Sequence, residues 1–578
     1  MKMKIAHAVA LTAALLLELC AVGDVRPDIC GAAEFDVVRP IAGVVVRARD
    51  YGVEPEKPDN TLALNALLDA CRTNGPVHLV FDPGVYHFIG GDGVRLEGLQ
   101  DFVFDGAGAE FVFLRERGVN FSIRGCKRLE MRDFSVDWDW DRDPLASLVE
   151  IAETADDHVD FRFVHYETFP RRDVRIAYAS PWDAETRSVG VPRKGCGRGF
   201  DMTWGGGKRP DTPKKWIGGN RLRIGVRPGA EFGKGDFYRV QHYYYDLGGF
   251  SFDSCAEVYL EKVEIKSCPG FALHFNGGRG FHLRNVNVRP PAENEKRVIS
   301  CTADHLHVRS SRGFFKLEGC EFSGGGDDCA NFHDITAFAV ADEGGCSLLV
   351  RGGVSGFKVG DPVELRNVDY SETGFVSRIV ESRRVSERRG YGEIVFAERL
   401  PKPKGEGFVA INRRHDTHNI ILRDCFFHDN RARGVIVQCP DVTIERCRFR
   451  HNESEAMKIT TGWTRNLWCE GVGVTNMVVR NCVFERTNAA RGTRQAVFIG
   501  TYMEVPSYER LNMTDFPILR DILFVGNRFV DIPALDVLVG SSRNFIFDSN
   551  VCLLRDSSGV ESRRPERIKY VMEKGERR

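Results

Sequence analysis

Beyond its first two dozen residues this 578-residue chain has no run of ~18 apolar residues, so no later segment could cross a membrane as a helix. A charge excess of one sign is missing as well: 80 Lys and Arg stand against 81 Asp and Glu. That balance excludes a nucleic-acid groove or a polybasic membrane patch as the basis of function. Helical periodicity is scarce, and no His, Cys and carboxylate set has a convincing metal spacing, so neither a metal nor a cofactor is expected. What the chain does have is 59 Gly and 39 Phe, a composition suited to a turn-rich β architecture.

The N-terminus, "MKMKIAHAVALTAALLLELCAVGD", sets Lys2 and Lys4 before an apolar run and ends on small residues. It reads as a signal peptide over 1–23, which predicts a secreted or periplasmic protein with no span left after cleavage. Lipid anchoring at Cys20 is the weaker option, because Leu19 is larger than the residue that usually precedes a lipidated Cys.

Stretches such as "FKLEGCEF" (315–322), "IILRDCFF" (420–427), "VTIERCRF" (442–449), "MVVRNCVF" (477–484) and "ILFVGNRF" (522–529) share one grammar. Apolar and polar residues alternate, break at a short Asn, Asp, Gly or Arg step, and resume with an apolar pair. Period-two alternation argues strand and the break argues a turn. Cys425 and Cys447 are 22 residues apart, and Asn527 and Asn550 are 23. A repeat of that length stacks as a solenoid. The expected fold is all-β: a right-handed parallel β-helix carrying two inserted β-barrel-like subdomains.

The expected organisation is an N-terminal cap and first coils over 35–154, an insertion over 155–245, β-helix over 246–336, and a second insertion over 337–412. C-terminal coils follow over 413–560, then a solvated tail over 561–578. An amphipathic helix after Asn60 caps the open end. Of the 17 cysteines, Cys320, Cys425, Cys447 and Cys482 share one inward slot and are read as small buried hydrophobes, with disulfides as the competing reading.

"GGGDDCANFHD" (324–334) sets Asp327 and Asp328 at the mouth of a strand, and Asp304 in "CTADHLHV" lies 23 residues upstream of Asp327. Equivalent positions on neighbouring parallel strands are ~4.7–4.9 Å apart. One coil therefore brings three carboxylates together, and crowded carboxylates split into an acid and a base, the equipment of glycoside hydrolysis. Turn structure and Ca²⁺ ligation remain as alternatives. Alternation puts His305 and His307 on the face away from Asp304. Candidate substrate-binding residues are His307, Asn331, His333, Arg433, Lys458, Trp463 and Glu470. Arg431 shares the coil of Arg433, and "DWDWDRD" (137–143) reads as a polar loop.

The motif "TADHLHV…LEGCEFSGGGDDCANFH" resembles the core of glycoside hydrolase family 110, exo-acting α-galactosidases that cleave terminal α-1,3-linked galactose. The resemblance extends over most of the mature chain, including 131–141, 250–273 and 431–438. It implies inversion, with Asp304 as acid and Asp327 with Asp328 positioning and deprotonating water. The implied substrate is an oligosaccharide or glycoconjugate ending in galactose. The chain departs from the family pattern at Gly324–Gly326, at Phe332 and around 455–471. A polygalacturonase-like enzyme and a non-catalytic carbohydrate-binding β-helix are the alternative readings.

Overall fold

A computed structural model describes residues 29–571, apart from 74, 92, 172, 190–199, 202–212, 226–231, 342–344, 352–355, 386–389, 466–467, 489–494 and 505–511. The expected leader, with Cys20, lies outside the described residues. Two long sheets, of 21 and 12 strands, run side by side along a solenoid whose coils pair in parallel. One row of the larger sheet reads Phe281, Phe315, Ile420, Val442, Met477, Ile522, Phe545, each paired with the next. The chain is a right-handed parallel β-helix.

Each repeat stretch is two short strands joined by a kink. Ile420–Arg423 and Phe426–His428 flank Asp424, whose φ is +54°; Val442–Glu445 and Arg448–Arg450 flank Arg446, at +52°. A left-handed residue turns the strand without ending it, which explains the Asn, Asp, Gly or Arg at that step. The residue after the kink points inward and covers a carbonyl of the preceding coil. Cys320, Cys425, Cys447 and Cys482 direct their thiols at Leu283 O, Leu317 O, Leu422 O and Ile444 O, at 3.5–3.6 Å. Where Asn replaces Cys, it makes the same bond more strongly: Asn527 Nδ2 donates to Val479 O at 3.0 Å. All four cysteines are buried free thiols. Beside them, phenylalanines stack coil on coil, as in Phe427–Phe449 and Phe449–Phe484 with centroids 5.3 and 5.1 Å apart.

The helix Thr61–Cys71 buries Leu64, Leu67 and Leu68 over the first coils. The first insertion is a seven-stranded antiparallel sheet over 146–241. It begins earlier than 155, because Ala146–Thr154 already pairs with Phe237–Gln241. The second, over 336–412, closes as a six-stranded barrel. Residues 561–571 do not hang free as a tail. Glu561–Arg563 pairs with Val551–Arg555 and Ile568–Tyr570 with Leu535–Val539. The reason is electrostatic: Asp536 is fully buried, and Arg564 is the cation that neutralises it at 2.5 Å.

A strap of extended chain runs from residue 29 to 43 across the outer face of the larger sheet. Its backbone is held by side chains of successive coils. Asn476 Oδ1 accepts from the amides of Cys30 and Gly31 at 2.9 and 2.8 Å. Thr443 and Asn419 accept from Ala32 and Ala33 at 2.9 and 2.7 Å. Further along, Glu257 and Asp101 hold Val38 and Ile41 at 2.8 and 3.3 Å. Because the strap crosses coils distant in sequence, it ties the coil of Asn476 to that of Asp101. Asn476→Ala should cost about 1–3 kcal/mol and raise amide exchange at Cys30 and Gly31 while the core strands stay protected. Unchanged exchange there would show that the strap is held by other contacts.

Candidate active site

Three segments enter neighbouring strands of the smaller sheet: Leu306–Arg309, Ala330–His333 and Val435–Val437. Leu306 pairs with Ala330 and Ala330 with Val435. Two residues before those positions stand Asp304, Asp328 and Arg433, in one column. The coil here is one residue longer than the 23 that separate Asp304 from Asp327, so Asp328 stacks on Asp304 and Asp327 flanks the pair. One oxygen from each aspartate lies within 4.8 Å of the others, and all three residues are buried.

The glycines before the pair follow from close packing. A Cβ on Gly325 would come within 2.2 Å of the His305 ring, and one on Gly326 within 2.3 Å of Thr302 O. Buried Arg239, from the first insertion, donates to Gly324 O and Gly325 O at 3.2 and 2.9 Å. His305 lies inside the solenoid, stacked on Phe322 with its Nε2 3.0 Å from Ser323 O. These contacts fix the turn that aims Asp327 and Asp328.

The charges around each carboxylate differ. Tyr244 and Tyr245 donate to Asp327 Oδ2 at 2.8 and 2.6 Å, and Arg431 Nη1 lies 3.0 Å from the same oxygen. Burial opposes the charge on Asp327, but Arg431, Arg433 and the two hydroxyls outweigh it and hold the pKa below the usual carboxylate value. Among the described residues no Arg or Lys contacts Asp304; burial first, and the Asp327 charge second, push its pKa well above the usual value. Asp328 is raised to about 7 by burial, against the opposing pull of Arg433 at 3.2 Å. Asp327 is thus biased towards the ionised form and its neighbour Asp304 towards the protonated one, a difference that suits acid–base chemistry.

His307 faces the site rather than away from it, with Nδ1 2.7 Å from Asp304 Oδ2. Strict alternation fails because the strand begins only at Leu306, after Asp304. His333 Nε2 lies 3.1 Å from His307 Nε2. Asn331 pairs with His307 across the sheet and accepts from Gln438 at 3.3 Å, while Gln438 also donates to Glu470 at 2.9 Å. Lys458 continues the same row one coil beyond Ile436, near the Tyr502 ring. Trp463 is not in the cleft: it is buried, stacks on Phe338 at 4.9 Å, and donates to Val368 O at 2.7 Å, joining the barrel to the solenoid.

Tyr244 and Tyr245 were absent from the expected set. They arrive on the return from the first insertion, and the only hint is the aromatic run "HYYYD" (242–246). "DWDWDRD" seats that return: Tyr243 donates to Asp143 at 2.7 Å, and Asp137 pairs with Arg297. Among the described residues, the aspartate triad is also the set close enough to share an ion. Arg431 and Arg433 already supply positive charge to it, so the donors do not fit a cation.

Residues 400–501 match the family described as "Right handed beta helix region". The chain is 24% identical over 575 residues to "Alpha-1,3-galactosidase B" of Bacteroides thetaiotaomicron, covering 89% of this chain and 87% of the relative. It is 23% identical over 488 residues to "Alpha-1,3-galactosidase A" of Shewanella woodyi, covering 77% of each. Among solved structures, an exopolygalacturonase from Thermotoga maritima aligns over 93% of this chain and 94% of that one, with a TM-score of 0.39 and 10% identity.

The raised Asp304 pKa has a consequence for stability. An unfolded chain releases this proton near ~3.9, whereas the folded one keeps it, so wild-type stability falls as pH rises above about 4 until the folded pKa is passed. Asp304→Asn removes that titration. In denaturant unfolding the variant should match wild type near pH 3 and gain on it steadily as pH rises above about 4. No gain at the higher pH would contradict a buried, uncompensated acid.

Proposed function

We propose that this exported chain is an exo-acting hydrolase of terminal α-linked galactosides, with Asp304 as general acid and Asp327, aided by Asp328, as general base. The observation that carries the reading is the column itself: an uncompensated buried carboxyl one coil from a carboxylate held ionised by two arginines and two tyrosines. Similarity to galactosidases over most of the chain supports a glycoside hydrolase and the choice of sugar. The leader-like N-terminus supports export.

In the proposed reaction Asp304 gives its proton to the glycosidic oxygen as the C1–O bond breaks. Water, losing a proton to Asp327, forms the new bond at C1. Galactose and the remaining alcohol leave, and solvent exchange moves a proton from Asp327 back to Asp304. His307, Asn331, His333, Arg433, Lys458 and Glu470 line the row in which the sugar would lie.

Stereochemistry is the finer point. Carboxyls of inverting enzymes usually stand ~6.5–9.5 Å apart and those of retaining enzymes ~5–5.5 Å. The oxygen separations here, within 4.8 Å, favour retention by that rule. Two features favour inversion. Asp327 Oδ2 already accepts from Tyr244 and Tyr245 and pairs with Arg431, which blunts it as a nucleophile. Asp327 and Asp328 also sit side by side, so a water can be held between them from one flank. We take inversion as the proposal.

A panel of α-galactosides, other p-nitrophenyl glycosides and galacturonan tests the substrate. Terminal α-galactosides should be cleaved, and Asp304→Asn and Asp327→Asn should each lower kcat by about 10²–10⁴. Cleavage of galacturonan in place of α-galactosides would replace this reading with a polygalacturonase-like one, and no cleavage at all would favour a carbohydrate-binding solenoid. Proton NMR of the first-formed sugar should show β-galactose. The α-anomer would establish retention.

A further inference from the structure

We propose that His333 and His307 form a tautomer-locked relay that holds Asp304 in its protonated form; both are positioning residues. The inference rests on the reading of Asp304 as the acid and deepens it.

The chain of contacts fixes each proton in turn. His333 Nδ1 faces the backbone carbonyl of Asp334 at 3.3 Å. A carbonyl only accepts, so His333 must carry its proton on Nδ1. That carbonyl is itself held in place, because it also accepts from Gly471 N at 2.8 Å. A neutral His333 then presents a bare Nε2 to His307 Nε2 at 3.1 Å, and one proton must lie between two nitrogens that close. It therefore belongs to His307. A neutral His307 with its proton on Nε2 has a bare Nδ1, and that atom lies 2.7 Å from Asp304 Oδ2. Two lone pairs do not share such a distance, so Asp304 supplies the proton.

Neutrality of both rings is required, and burial favours it against the pull of the neighbouring carboxylates. Burial lowers the pKa of His307 to about 4 and also depresses that of His333. The groups facing the pair come from every packed element: Phe271 and His274 on the preceding coil, Arg309 on the same strand, Asp327, Asp328 and Asp334 on the next, and Glu470 from the far side. His274 is itself held neutral by burial, with a pKa of about 3. Asp334 is the residue at which the chain leaves the solenoid for the barrel, so the second insertion anchors the relay although it supplies none of the three aspartates.

Histidine ring ¹⁵N NMR on the full chain tests the tautomers directly, with assignment by single substitutions. Near pH 7, His333 should carry its proton on Nδ1 and His307 on Nε2, both neutral; a proton on His307 Nδ1 would overturn the relay. Kinetics supply a second readout. A 2,4-dinitrophenyl group departs without a proton, whereas a sugar leaving group needs one. His307→Phe should lose about 100-fold in kcat/KM on an α-galactosyl disaccharide and under about 10-fold on the dinitrophenyl substrate. Its alkaline limb should move down by about one pH unit. His333→Phe should do the same to a smaller extent, and His333→Gln, whose amide oxygen can accept from His307, should recover most of the loss. Equal losses on both substrates with an unmoved limb would mean the histidines merely hold the fold. A wild type inert on every α-galactoside would sink the galactosidase reading, while the NMR arm would still decide the relay.

Discussion

Three carboxylates that repel one another are held together by the rise of a single solenoid coil. Everything else about the site answers that repulsion. Neighbouring strands of a parallel sheet have one spacing, ~4.8 Å, and it leaves no freedom to separate Asp304 from Asp328. The charges must therefore be sorted rather than spread. Arg431, Arg433 and two tyrosines converge on Asp327 and Asp328, whereas Asp304 meets a tyrosine hydroxyl at 3.5 Å, a histidine ring and the Asp328 backbone amide. That asymmetry biases chemically identical side chains in opposite directions, one towards keeping its proton and one towards losing it.

The scaffold supplies the stiffness this needs. Left-handed kinks let each coil turn without losing its pairing, and in many coils an inward Cys or Asn covers a carbonyl of the coil before. Arg239 and the glycine turn fix the backbone under the aspartates. The two insertions are part of the same apparatus: one returns with Tyr244 and Tyr245, and the other leaves at Asp334, beside the histidine pair. A site assembled from four separate stretches of chain is thus held by backbone and buried charge rather than by loops alone.

The β-helix was legible because its signals are local and repeated. Alternation and the kink residue recur coil after coil, and an inward Cys in many of them, so each coil reinforces the reading of the next. The aspartates were legible for the same reason, since a period converts into a distance. What the period could not give was a register to the residue: the coil between Leu306 and Ala330 is one residue longer, which put Asp328 rather than Asp327 above Asp304. Alternation misplaced His307 because the strand starts two residues after Asp304. Trp463 looked like a sugar platform but serves the barrel interface. Tyr244 and Tyr245 follow no spacing rule, because their positions depend on how the first insertion returns, and only tertiary structure decides that.

The surroundings of the pair favour a proton on Asp304 at neutral pH and none on Asp327, about one coil rise away. Difference infrared spectroscopy of wild type against Asp304→Asn and Asp327→Asn reads this directly. The Asp304 substitution should remove a protonated-carboxylic-acid carbonyl band, and the Asp327 substitution only carboxylate bands. Loss of carboxylate bands alone in both variants would mean that two bare charges sit side by side, and the division of labour described above would be wrong.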